Sequence, residues 1–368
     1  MRFPGFEGQW VKHTLGETGE PYIGLTYSRA DVVPEGGVIV FRSSNIKDGE
    51  IDYCDIVRVN KRIKESLITR KDDLLICARN GSPKLIGKNA LLKENDANQT
   101  FGAFMLVYRS PDNHFIHQLL ATKRYYSQVS ENLGARINQI TTANIKDFEF
   151  FFPKDKDERD KISRFLDLID QRIAIQNKVI EKYESLIKAL RRHIFSTIES
   201  EKEVTIADVL SYEQPTKYIV SDTEYSDNNG LTPVLTANKA FILGYTEEVD
   251  GVYDKGPCII LDDFTLDSKI VDFPFKVKSS AIKILSAKEA VSLRYIFEYL
   301  KFLNLNTEEH KRHYIAEIEP MTMELPDEAT IRSISNLFER ADLRREGLER
   351  DLHLLEKQKD YLLRALFI

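Results

Sequence analysis

Two stretches of this chain carry the same heptad pattern, and they stand 172 residues apart (162 to 334). In the first, Ile162, Leu166, Ile169, Ile173, Gln176, Ile180, Tyr183, Ile187, Leu190 and Ile194 step alternately by four and three residues. That is the seam of a coiled coil, sustained over about four and a half heptads. Adding 172 to each position gives Ile334, Phe338, Ala341, Arg345, Leu348, Leu352, Leu355, Lys359, Leu362 and Leu366. Both stretches end alike, in LRRHIF (190–195) and LLRALF (362–367), and only Gly347 interrupts either. At roughly 1.5 Å rise per residue each helix runs to about 60 Å, several times the usual helix of a compact domain. One core helix per domain therefore fits poorly. Self-association through the helices is the other alternative, but the shared register and matching termini favour pairing within one chain. Arg345 and Lys359 fall on the second seam, where they either snorkel or mark a divergence of the helices.

The regions ahead of the two helices repeat more weakly. VFRSSN (40–45) parallels VLTANK (234–239), LLICARNGS (74–82) parallels IILDDFT (259–265), and GAFMLVY (102–108) parallels SSAIKIL (279–285). INQITTANIKDFEFFFP (137–153) runs into the first helix much as HYIAEIEPMTMELP (313–326) runs into the second. Short apolar runs such as VIVF (38–41), LLIC (74–77), CIIL (258–261) and AIKIL (281–285) are bounded by turn residues, including Asp48-Gly49 and Asp250-Gly251. They read as strands. One amphipathic helix is expected in each half, around 115–129 and 292–303. The expected fold class is α+β: two similar mixed α/β modules, each followed by a long helix, the two helices packing as an antiparallel coiled coil. The expected division is 1–155, first module; 156–199, first helix; 200–326, second module; 327–368, second helix.

Chemistry is hard to find in this sequence. It lacks GxxxxGK[ST], a GxGxxG after a strand, and GxSxG, so no phosphate-cradling loop, dinucleotide fingerprint or nucleophile elbow is visible. Cys54, Cys77 and Cys258 are far apart without CxxC spacing, which fits a reducing cytoplasm and argues against zinc. His114/His117 and His310/His313 lack the Glu of a HExxH site. Asp262-Asp263 and Glu309-His310-Lys311 would interest a search for a nuclease centre, but both are weak signals among 58 acidic residues. No catalytic or metal-ligating residue is assigned. No apolar run reaches the roughly 20 residues of a membrane span, and the N-terminus has no signal-peptide core.

The strings quoted above, with GLTYS (24–28), RSSNIKDGEID (42–52), DLLICARNGSPKLIGKNALL (73–92), LTPVLTANKAFILGY (231–245), GPCIILDDFT (256–265) and DFPFKVKSSAIKIL (272–285), resemble the specificity subunit of type I restriction–modification systems. The resemblance covers nearly the whole chain, and its most specific part is the doubled junction of strand, proline and heptad helix. It departs from the family where a Glu-Gln pair often follows that proline; KDKDERDKI and DEATIRSI stand here instead. The resemblance implies a non-catalytic subunit whose two target-recognition domains each bind half of a bipartite double-stranded DNA site. The helices would serve as a fixed spacer. It also implies two modification (methyltransferase) subunits carrying S-adenosylmethionine, restriction subunits using ATP, no cofactor on this chain and no membrane. A nuclease, or a coiled-coil adaptor outside these systems, remains the alternative.

Base readout in the major groove needs Arg, Lys, Asn, Gln, Ser or Thr on loops. In the first module the candidates are Arg42, Ser43, Ser44 and Asn45, then Arg79, Asn80, Ser82 and Lys84, with Arg136, Asn138 and Gln139. In the second they are Thr236, Asn238 and Lys239, then Lys278, Ser279 and Ser280, with Lys311 and Arg312. Asn45 and Asn238 fall at equivalent places and could equally be turn-formers. Lys188, Arg191 and Arg192 on the first helix could touch spacer phosphates, though a solvated face explains them as well. The net charge of −6 runs against the usual basic balance of DNA binders, so any positive field must be local or supplied by a partner.

Overall fold

A computed structural model describes the chain except for residues 1, 134–137, 238–239, 289–290, 306–311 and 368. It divides into two compact units: 1–178 together with 350–368, and 179–349. The helices Lys156–Thr197 and Glu328–Leu366 each begin in one unit and end in the other, as unbroken helix. Glycine at position 347 does not break the second helix.

The first unit is built on a four-stranded antiparallel sheet in the order Glu20–Ile23, Met105–Arg109, Leu74–Cys77, Asn89–Leu91. LLIC is apolar throughout because both faces of its strand are covered. Leu74 and Ile76 point into a core with the helices; Leu75 and Cys77 pack with Ile39, Phe41 and Phe101. A second sheet supplies those partners, in the order Thr100–Phe101, Val38–Phe41, Val57–Val59, Val32–Val33, its first pair parallel. Strands Val11–Thr14 and Glu149–Phe152 pair antiparallel and lead into the first long helix. Asp48 and Gly49, both at positive φ (50° and 78°), make the tight turn between Ile46–Lys47 and Glu50–Ile51.

The second unit repeats this plan. Its four-stranded sheet runs Leu210–Glu213, Ile282–Ala287, Cys258–Asp262, Ser268–Val271. Here too the central strand is buried on both faces, Ile259 and Leu261 toward the helices, Cys258 and Ile260 toward the second sheet. That second sheet again contains a parallel pair, Thr232–Leu235 with Lys276–Val277. Strands Lys202–Thr205 and Thr322–Leu325 form the antiparallel pair that leads into the second long helix. One expectation needs correcting in the first unit. The helix placed over 115–129 is two helices, Asn113–Leu119 and Lys123–Asn132, because Thr122 caps the second and so ends the first. Its counterpart Leu293–Leu303 is a single helix.

In each unit the two long helices pair antiparallel. Ile162, Leu166 and Ile169 share the first core with Leu362, Leu363 and Leu366, with Ile173 packed on its edge. In the second unit Phe195, Ile331, Ile334 and Phe338 share a core that Ile187 and Ile194 border. Tyr183 donates its hydroxyl hydrogen to the Ala341 carbonyl at 3.1 Å, while Arg191 lies over the Phe338 ring. Ala341 and Leu348 are buried; Ile180, Leu190, Leu352 and Leu355 are half-buried. The two cations on the seam take different routes. Lys359 pairs with Asp170 of the facing helix, whereas Arg345 bonds Asp342 and Glu349 on its own helix.

Polar networks tie each module's own helix to this pair. Glu298 is fully buried, accepting from Arg191 at 2.7 Å and pairing with Arg294, which also reaches Asp342 and the Phe338 carbonyl. In the first unit Gln118 donates to Asp167 and Asp170, and His114 bridges Asp167 and Asp72. The bond to Asp167 first, then the Asp72 charge, holds the His114 pKa above its ordinary value; burial lowers that of neighbouring His117.

Two outcomes are expected. Phe338→Ala should lower unfolding free energy by about 3–5 kcal/mol, while Leu343→Ala, at an exposed position, stays within about 0.5 kcal/mol, both read by denaturant unfolding. Because the His114 pKa is raised on folding, its stabilisation is present below about pH 6.5 and fades as pH climbs through the raised value. His114→Gln should therefore lower the urea midpoint more at about pH 5.5 than at about pH 8.5.

Candidate nucleic-acid interface

Three segments far apart in the first module meet on one face. Strand Val38–Phe41 runs into the 3-10 turn Ser43–Asn45, and Leu74–Cys77 runs out into residues 79–84. The Asn80 amide donates to the Ser43 hydroxyl at 2.9 Å. Arg79 bridges Gln139 through the backbone, and the Asn138 amide donates to the Gly81 carbonyl at 3.0 Å. Arg136 lies outside the described residues.

The candidates do not share one role. Asn45 is 0% exposed, accepting from Arg42 N–H and donating to the Asp52 and Asp55 carbonyls. It shapes the turn and presents nothing to a ligand, which corrects its place among the readers. Arg42 is half-buried and committed to Asp55 at 2.7 Å. Asn80 is spent on Ser43 and on the Ser82 N–H. Ser43, Ser82, Asn138 and Gln139 are half-buried, while Ser44, Arg79 and Lys84 are exposed. Arg79 holds its guanidinium 5.0 Å from the centre of the Phe104 ring.

In the second module the same edges converge. Lys278 N–H donates to the Leu235 carbonyl, as Gly102 N–H donates to the Phe41 carbonyl in the first. Asp263 N–H donates to the Ala281 carbonyl, as Ala78 N–H does to Phe104. Lys278, Ser279 and Ser280 are exposed on this turn, beside half-buried Thr236. Arg312 is exposed next to His313, whose N–H reaches Asp263. Asn238, Lys239 and Lys311 lie outside the described residues, as does Glu309-His310-Lys311 as a unit.

Phe104, 58% exposed, was missed by sequence reasoning. The register that matches Gly102–Phe104 to the turn 278–281 was the signal for it, because the second copy of that turn carries three of its module's candidates. Other sequence signals resolve into structural work. Asp262 Oδ1 accepts from Phe264 and Thr265 N–H, and Asp263 accepts from His313 and Tyr314 N–H while pairing with buried Lys283. Arg191 is taken up by Glu298 and so does not belong to a free basic cluster with Lys188 and Arg192. Among the described residues no group of three or more His, Cys, Asp or Glu could hold a metal, and no helix is long and apolar enough to cross a membrane.

One α/β plan thus occurs twice, each time with basic and amide side chains on a corresponding edge and a long paired helix after it. Residues 7–185 match the type I restriction modification DNA specificity domain. That match takes in the first module and the start of the first long helix, just under half of the chain. It is 42% identical over 127 residues to the EcoR124I/EcoR124II specificity subunit of Escherichia coli, covering 33% of this chain and 31% of that one. It is 26% identical over 183 residues to the StySPI specificity subunit of Salmonella potsdam, covering 48% and 38%. The matched part is thus about a third of the length of these relatives. In fold it is similar to the S subunit of a type I restriction–modification system from M. genitalium, with a TM-score of 0.65, 17% identity, and coverage of 100% and 97%. A structure solved in work on complex assembly and conformational transition of the type I R-M system gives a TM-score of 0.55, 12% identity, and coverage of 98% and 97%.

Asn45→Ala should cost about 1–3 kcal/mol of stability, since it strands buried backbone groups. Ser44→Ala, one residue earlier, should leave the urea midpoint unchanged.

Proposed function

We propose that the chain is the DNA-recognition subunit of a type I restriction–modification complex, each module contacting one half of a bipartite duplex site. The observation that carries this reading is the repetition of one topology with its polar and basic loops on the corresponding edge. Two readers joined by continuous helix combine their binding energies through high effective concentration. On this reading Arg79, Ser44 and Lys84 serve the first half-site, and Lys278, Ser279, Ser280 and Arg312 the second. The half-buried members support the loops or hold phosphates.

The chain on this reading is not itself catalytic. Modification subunits carrying S-adenosylmethionine and restriction subunits using ATP supply the chemistry, in the cytoplasm. Docking of such partners is supported by an apolar stripe on the first long helix. Leu168, Ile175, Val179 and Leu186 are 54%, 61%, 40% and 60% exposed and recur at steps of seven, four and seven residues. One helical face is apolar and unpaired by this chain's own seam.

The test selects bound duplexes from a random pool with the chain reconstituted with its modification subunits. Arg79→Ala should relax one half of the selected motif and Lys278→Ala only the other, each by about 10-fold or more at the affected base pair. Selection of one contiguous motif, or relaxation of both halves by either change, would sink the reading.

A further inference from the structure

Phe104 is 58% exposed and lies beside the exposed candidate Arg79 of the first module. It lies in the turn between Thr100–Phe101 and Met105–Arg109, and its carbonyl accepts from both Ala78 and Arg79 N–H at 2.9 Å. The backbone under the ring is therefore pinned, and the exposed ring is held out from a fixed point. Its surroundings are the polar candidates of the first reader, and Arg79 covers one of its faces. No hydrogen bond from the Arg79 guanidinium accompanies that contact among the described interactions, so its donors are available.

An apolar group on a base-reading face has two main uses. It can wedge between base pairs, which needs both faces of the ring free, or it can touch the one apolar feature of the major-groove edge, the thymine methyl. With Arg79 over one face, insertion would forfeit the cation–π contact. Edge contact keeps it. We infer that Phe104 is a specificity-determining residue of the first reader that packs on a thymine C5-methyl, with Arg79 beside it donating to an adjacent base or phosphate. The second reader has Lys278–Ala281 in the matching turn and lacks the ring, so the discrimination belongs to one half-site only. This inference rests on the DNA-recognition reading above.

The test uses the reconstituted complex and duplexes of its selected motif, in which each thymine in turn is replaced by deoxyuridine, which lacks only the methyl. At one thymine of one half-site, the wild-type complex should lose about four-fold in affinity on methyl removal, the worth of one buried carbon. Phe104→Ala should bind the thymine duplex correspondingly less well and no longer distinguish it from deoxyuridine. Phe104→Leu should restore part of the difference. A thermal melt of each variant, with unchanged midpoint expected at so exposed a site, separates lost contact from lost fold. The inference is overturned if no thymine shows the effect, if it persists in Phe104→Ala, or if neither half-site contains thymine. If the complex binds no split motif at all, the DNA-recognition reading fails instead.

Discussion

Each unit closes its core with segments of both long helices, and in the first unit one of those segments comes from the far end of the chain. Residues 350–368 bring Leu362, Leu363 and Leu366 to a core otherwise drawn from 1–178. In the second unit Phe195 and its neighbours arrive at the end of a helix that starts in the first. Burial of those side chains is the favourable term that holds each unit closed, at roughly 1.5–3 kcal/mol for each fully buried side chain. The first unit needs two separate stretches of sequence to complete its core, whereas the second draws its core from the single stretch 179–349. The two matched heptads therefore do two things: they complete the cores, and they run unbroken from one unit into the other.

Polar contacts then decide how each reader is seated on its helices. The devices differ although the folds agree. Glu298, Arg294 and Arg191 form a buried charged cluster in the second unit, whereas His114, Gln118, Asp167, Asp170 and Lys359 form a partly exposed one in the first. The cores diverge as well. Buried Lys283 pairs with Asp263 at positions where the first module has Leu106 and Ala78. A buried charge pair offers little net stability, but here Asp263 also anchors the backbone at His313 and Tyr314. The loop carrying Arg312 is thus positioned by a device that the first reader lacks.

Much of this was legible in the sequence, and the limits are instructive. The heptads, the strands and the match of LLICARNGS (74–82) to IILDDFT (259–265) were legible, because side-chain direction along a helix or strand is set locally. The break at Thr122 was not legible, since a capping threonine inside an amphipathic run looks like any other polar residue. Individual readers were less legible still. Asn45 and Ser44 are neighbours of similar chemistry, yet one is buried as a turn brace and the other faces water. That outcome depends on Asp52 and Asp55, which reach Asn45 only after the chain has folded back. Phe104 was overlooked because a hydrophobic residue beside a strand reads as core until its exposure is seen.

If each module addresses its own half-site, the intact system must act at a split motif. Mapping every methylated base in the genome of cells carrying the intact system tests it most directly. The expected result is a single asymmetric motif, split by a constant run of unread base pairs, that disappears when this chain's gene is removed. A contiguous or palindromic motif, or methylation unaffected by removing this chain, would contradict it.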